Sequence, residues 1–262
     1  MSVKTLEELL RRLHLSTAAN ELNLVLSGSK SNVSLSWAIN LLQREIDNRH
    51  ERSLQYKVKR SGMPELKSIE DFDWSFNPDL EQERILNVAN LDFITEQEIV
   101  LFLGKSGTGK SHLAQAIGLK AIYRGKSVYW SSLKKLSEEI LKAKQRGELS
   151  KLFNKILNSD LWILDDWAVV SLGRDVSEEM FDLLDRRKNN TAMLLTSNRD
   201  VNEWPEVFID PVIASAAIDR IFDRADVITF TGPTYRGKGK KDRRVAKISE
   251  LQVDKSLGGN LT

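Results

Sequence analysis

The sequence predicts an α/β fold, a parallel sheet covered by helices on both faces. Mostly apolar strand candidates recur at 99–103, 127–131, 161–165, 192–197 and 226–231. Helical patterns lie between them, at 110–124, 133–146 with 149–158, 177–189 and 211–222. Strands without polar alternation that take turns with helices are those of a sheet buried on both sides. The third observation is the junction after the first strand, where a glycine-rich loop opens directly into a helix.

Ahead of that sheet lies a small helical unit. Thr5-Leu-Glu-Glu8 reads as a capping box leading into Leu9, Leu10 and Leu13. Residues 16–26 continue in helical spacing, and 27–31 form a break rich in serine and glycine. Ser34 is read as opening a longer helix with an uneven apolar stripe of Trp37, Ile39, Leu42, Ile46 and Leu54. Its later half is basic, with Arg44, Arg49, Arg52, Lys57, Lys59 and Arg60 against three acids. A solvated helix face and a phosphate-contacting face both suit that run. Ser61-Gly-Met-Pro64 ends the unit, and an aromatic lead-in, Ile69 to Trp74, precedes a helix expected over 78–90 with proline in its first turn. The expected organisation is a helical domain at 1–64, an α/β domain at 65–235 and a basic tail at 236–262.

Bulk composition is permissive. Of the 262 residues, 39 are basic and 37 acidic, a net charge of +2, so charge distribution rather than total charge must speak about nucleic acid. There is no cysteine, which removes disulfides and thiolate metal sites, and three scattered histidines do not make a histidine metal site. No apolar run reaches bilayer length, and acids within the first ten residues argue against a secretory signal. The expectation is a cytoplasmic protein of bacterial type without membrane association.

The chemistry centres on Gly104, Lys105, Ser106, Gly107, Thr108, Gly109, Lys110 and Ser111, followed by His112. This is G-x-x-x-x-G-K-[ST] between a strand and a helix, the arrangement of a nucleoside triphosphate site. Glycines let backbone N–H groups turn inward onto phosphate oxygens, and the helix start adds its positive end. Lys110 is placed for the outer phosphates and Ser111 for Mg²⁺. About fifty residues on, the strand 161–166 ends in Asp165 and Asp166. Carboxylates at the C-terminal end of a central strand sit at the ligand crevice of a parallel sheet. Asp165 is the candidate to hold Mg²⁺ through its water shell, and Asp166 to polarise an attacking water. Asn198 ends the fourth strand at the same edge, where it can orient that water or simply make a turn. Arg220 reads either as half of a helix-surface ion pair or as an arginine supplied to a neighbouring subunit's γ-phosphate. Arg236 follows the last strand and is a candidate to return to the nucleotide of its own subunit.

Taken together, several stretches resemble the IstB-like transposition helper ATPases of the AAA+ class, relatives of the DnaC-type helicase loaders. They are the loop with its continuation His112-Leu-Ala-Gln-Ala, the strand ending in Asp165-Asp166, and Thr196-Ser-Asn-Arg199 with Trp204. Ala217-Ile-Asp-Arg220-Ile and Gly232-Pro-Thr-Tyr-Arg236 complete the set. The resemblance implies sheet order 5-1-4-3-2, Asn198 as sensor 1, Arg220 as a trans-acting arginine finger and Arg236 as sensor 2. It also implies a homo-oligomer formed with ATP that hydrolyses ATP, binds duplex DNA and recruits or stimulates a partner transposase. Asp166 stands where the family often has Glu, and Trp167-Ala168 where many members have a glycine nearby. For DNA, the candidates are Arg49, Arg52, Lys57, Lys59 and Arg60, then Lys134, Lys135, Lys142, Lys144 and Arg146. The tail, with seven basic residues and one acid over 236–247, adds Lys238, Lys240 and Lys241. The alternative reading is a helicase loader on single-stranded DNA, although residues 133–146 lack the aromatic platforms that such strands stack on. A small-molecule kinase leaves the basic tail unexplained.

Overall fold

The computed structural model describes residues 3–27, 35–188 and 190–235. By its internal packing the chain divides into two units, Met1–Lys59 and Arg60–Thr262.

In the first unit, α1 (Val3–Arg12), α2 (Ser16–Ser27) and α3 (Ser36–Ser61) are helices. Leu6, Leu9 and Ile39 form a small buried cluster, with Leu10, Leu22 and Leu42 packed against it. Two expectations need correction. Helix α1 begins at Val3, so Thr5 lies inside it rather than capping it. Trp37 is 64% exposed and faces away from the buried stripe that Ile39 and Leu42 belong to. Ser34 lies outside the described residues.

The second unit opens with a 3-10 turn at Trp74–Phe76, then the short helices α4 (Gln82–Val88) and α5 (Asp92–Thr95). The helix predicted from residue 78 therefore starts later. The Leu80 N–H bonds to the Asn77 carbonyl at 3.1 Å, which makes Asn77-Pro-Asp-Leu80 a turn with proline at its favoured second position. Leu91, at φ 75°, separates the two helices.

Alternation then follows: β1 (Ile99–Gly104), α6 (Lys110–Tyr123), β2 (Val128–Ser132), α7 (Leu133–Gln145), α8 (Leu149–Leu157), β3 (Leu161–Trp167), α9 (Arg174–Arg187), β4 (Ala192–Ser197), α10 (Pro211–Phe222) and β5 (Ala225–Phe230). All pairings are parallel, in the order β2-β3-β4-β1-β5, the order that the AAA+ resemblance implies. Ile99, Leu101, Trp162, Leu164, Met193 and Leu195 share one core with apolar residues of α7 to α10. Their alternates Val100, Phe102, Ile163 and Leu194 are equally buried, and α6 lies against these strands. Helix and sheet approach closely at Gly118 of α6, since a Cβ there would stand 2.7 Å from Ile163 Cδ1. Helix α10 is capped by Asp210, whose carboxylate accepts the Val212 N–H at 2.8 Å, with Pro211 at the first helical position.

The fold differs from expectation at several element ends, among them β2, which sits one residue later than 127–131. Helix α9 starts at Arg174, three residues before the expected 177, with Gly173 as its cap. Strand β5 sits one residue earlier than 226–231. Strand β3 runs on to Trp167 through an irregularity between Leu164 and Trp167.

Candidate functional site

Strand β1 delivers the chain to the C-terminal edge of the sheet, and the loop 105–109 turns it back into α6. Gly104, Gly107 and Gly109 have φ of 143°, 83° and 102°, conformations that only glycine adopts freely. Space forbids a side chain there as well: a Cβ at Gly104 would strike the Phe230 carbonyl, and one at Gly107 the Thr234 hydroxyl. Lys110 is 3% exposed and donates to the carbonyls of Gly104 at 2.6 Å and Lys105 at 2.7 Å. Thr108 Oγ1 also donates to the Lys105 carbonyl, at 2.9 Å, which tightens the loop. The Lys105 side chain itself points to solvent.

Two carboxylates meet this loop. Ser111 Oγ and Thr196 Oγ1 both donate to Asp165 Oδ1, at 2.8 and 2.5 Å. Burial pushes the Asp165 carboxyl above its ordinary range. The Thr196 and Ser111 hydroxyls oppose that rise, and the neighbouring Asp166 charge adds to it. Asn198 Nδ2 donates to Asp166 Oδ1 at 3.1 Å. Asp166 and Ala168 lie in the left-handed region, at φ 55° and 66°. Ala168 is thus a position whose backbone glycine would adopt without strain. Trp167 between them is fully buried, edge-on to Trp204 at 5.8 Å, and anchors the strained pair.

A cation fits here. Ser111 and Asp165 offer hard oxygens at the helix start, and a desolvated carboxylate is one that a cation would neutralise. Among the described residues no group of three or more His, Cys, Asp or Glu could cage a metal alone. Mg²⁺ held by one or two protein oxygens and phosphates needs no such cage.

Ser106 to His112, Asp166 and Asn198 line one cavity of about 530 Å³. Its far wall was not read as functional from sequence: Leu66, Lys67, Asp71, Phe72, Asp73, Phe76 and Tyr235. Phe72 packs edge-on against Trp74 and His112, with ring centres 4.8 and 5.4 Å away. His112 Nε2 lies 3.1 Å from the Ser68 carbonyl, which fastens the lead-in to α6. Tyr235 N–H donates to the Gly107 carbonyl at 2.8 Å, and its ring meets Phe76 edge-on at 4.8 Å. The signal available in the sequence was the aromatic density of residues 69–76 just ahead of a phosphate loop.

The other candidates lie elsewhere. Arg220 on α10 is absent from the cavity lining and donates to Asp185 of α9 at 2.6 Å. Lys134, Lys135, Lys142 and Lys144 stand exposed on α7, with Arg146 at its C-cap. Lys144 is shared between Asp175 and Glu179, at 3.3 and 3.1 Å. On α3, Arg49, Arg52, Lys59 and Arg60 are exposed and Lys57 is half-buried, while Arg49 pairs with Glu45 at 2.6 Å. Arg236, Lys238, Lys240 and Lys241 lie outside the described residues. No helix among the described residues is long and apolar enough to cross a membrane.

Comparison with known proteins agrees with this architecture. A family model described as IstB-like ATP binding protein matches residues 5–243. An insertion sequence IS21 ATP-binding protein of Pseudomonas aeruginosa is 33% identical over 220 residues, covering 82% of this chain and 83% of that one. Its counterpart from IS5376 of Geobacillus stearothermophilus is 32% identical over 238 residues, covering 90% and 95%. Among solved structures, AMPPCP-bound DnaA from Aquifex aeolicus superposes with a TM-score of 0.54 at 20% identity, covering 64% of this chain and 51% of that one. That last likeness concerns the fold alone.

Proposed function

The chain belongs to the family of IstB-like ATP binding proteins, and we propose that it acts as the ATP-driven switch of an insertion sequence. In this reading it assembles with ATP as an oligomer on duplex target DNA, hydrolyses the nucleotide, and recruits or stimulates a partner transposase. One observation carries the hydrolytic part: Asp165 and Asp166 are set side by side at the phosphate loop, one bonded to Ser111 and the other to Asn198.

In this reading each residue takes a separate role. Backbone N–H groups of the Gly104–Ser111 loop take the phosphate oxygens, and Lys110 exchanges its two carbonyl partners for the outer phosphates. Ser111 and Asp165 would hold Mg²⁺, which would supply charge neutralisation on the phosphates. Asp166, oriented by Asn198, accepts a proton from the attacking water. The new bond forms from water oxygen to γ-phosphorus, and the bond from that phosphorus to the β–γ bridging oxygen breaks, giving ADP and phosphate. The aromatic wall of Phe72, Phe76 and Tyr235 takes the base. Arg220, released from Asp185, completes the site of a neighbouring subunit. Exposed lysines of α7, basic residues of α3 and the basic tail supply sequence-independent contacts to duplex phosphates.

The decisive experiment measures ATP-dependent assembly on duplex DNA together with hydrolysis. Asp166→Ala is expected to assemble while hydrolysing about 100-fold more slowly. Mixing it with Arg220→Ala is expected to restore part of the rate. Absence of ATP-dependent assembly by the wild-type chain would overturn the switch. Preferential capture of a replicative helicase over the transposase would move the reading to a loader.

A further inference from the structure

The irregularity in β3 has a chemical consequence. Leu164 pairs with Leu195 and Trp167 with Ser197, so two residues of β3, Asp165 and Asp166, stand opposite a single residue of β4, Thr196. This is a bulge, a device that re-aims side chains next to active sites. Thr196 is 1% exposed, and its hydroxyl is used in both directions. It donates to Asp165 Oδ1 at 2.5 Å and accepts the Asp166 N–H at 3.1 Å. A hydroxyl has one proton and two lone pairs, so one rotamer serves both aspartates at once. A valine would fill the same space and make neither bond.

Building on the hydrolytic reading above, we propose that Thr196 is a positioning residue that sets both carboxylates for their separate tasks. Through its proton it holds Asp165 Oδ1 beside Ser111, so the hard oxygens of the cation site converge. Through its lone pair it satisfies the backbone N–H of Asp166 and so holds that residue at φ 55°, with its side chain in reach of Asn198. Thr196 is buried and does not line the cavity, so it acts through the two aspartates. Without the hydroxyl, a buried carboxylate loses one of two hydroxyl donors, and an N–H at a strained residue loses its acceptor. The chain thereby makes metal binding and water activation depend on one side chain of a neighbouring strand.

The test compares Thr196→Val with Thr196→Ser. Two quantities are read: the steady-state rate, and the Mg²⁺ concentration that half-saturates binding of a fluorescent methylanthraniloyl ATP analogue. Thr196→Val is expected to lower kcat about 10- to 100-fold and to raise the Mg²⁺ requirement by a similar factor. Its KM for ATP at saturating Mg²⁺ should stay within about threefold. Thr196→Ser should remain near wild type in both. A packing role predicts the reverse order, valine silent and serine harmful, and that result would overturn the proposal. Should the valine variant not fold, Thr196→Ala and Thr196→Ser make the same comparison at equal loss of a methyl group, and serine must exceed alanine. An active wild type with a silent valine variant rejects the role of Thr196 alone. An inactive wild type rejects the hydrolytic reading, and the Mg²⁺ dependence of analogue binding still decides for Thr196.

Discussion

The two units of this chain bury their apolar residues to different depths, and that difference decides what each can hold in place. In the α/β unit, β1, β3 and β4 are closed on both faces, down to Trp162 and Trp167 with no exposed surface. In the helical unit the buried cluster is Leu6, Leu9 and Ile39, while Leu24, Val25, Trp37 and Leu41 stand more than half exposed. Deep burial lets the first region keep residues in unfavourable backbone states. Asp166 and Ala168 each cost about 1 kcal/mol or more in the left-handed region, and the packed Trp167 between them offsets that cost.

The sharpest way to break this contrast is at Lys110. Its ammonium group donates to the backbone carbonyls of Gly104 and Lys105, in the loop that it belongs to. Lys110→Ala is expected to weaken ATP binding by at least about 100-fold, since two charge-assisted bonds to phosphate are lost. The melting temperature of the α/β unit should stay within a few degrees of wild type, because the strands and their core are untouched. Calorimetric titration with ATP and thermal melting read the two outcomes. Retained affinity would move the phosphate site elsewhere.

Next in size is Leu9→Ala in the helical unit. Leu9 is 5% exposed, in a cluster whose other buried members among the described residues are Leu6 and Ile39. The loss is expected at about 2–4 kcal/mol, large against so small a core. Hydrogen exchange should then show faster opening of α1 and α3 with unchanged protection of β1, β3 and β4. Faster exchange throughout the sheet would show that the two regions share one cooperative transition.

Legibility followed the same division. The strands were readable because each is an apolar run with a polar end, and the phosphate loop because its glycines, lysine and serine are contiguous. Asp165, Asp166 and Asn198 could be placed at one edge since parallel strands end together. Phe72, Phe76 and Tyr235 could not, because a cavity wall gathered from residues 66–76 and 235 has no spacing in sequence. Thr196 was hidden for a different reason: its double hydrogen bond exists only where the β3 bulge sets two residues against one. Proline 78 misled because one residue suits both a helix start and the second position of a turn. The Leu80 N–H bond to the Asn77 carbonyl selects the turn.

Trp37 shows how little of the helical unit could be read from periodicity. Its spacing from Ile39 and Leu42 suggested one stripe, yet at 100° per residue Trp37 and Ile39 lie about 200° apart, on opposite sides of α3. The structure buries Ile39 and exposes Trp37, which lines a shallow surface depression with Leu41 and Arg44. Because little of the indole leaves water on folding, Trp37→Ala is expected to change stability by about 0.5 kcal/mol or less, as surface substitutions do. Urea unfolding of Trp37→Ala beside Leu9→Ala gives the comparison directly, the two differing several-fold in effect. A loss above about 2 kcal/mol for Trp37→Ala would mean that the indole is covered in solution, and the helical unit would then be as deeply built as the sheet.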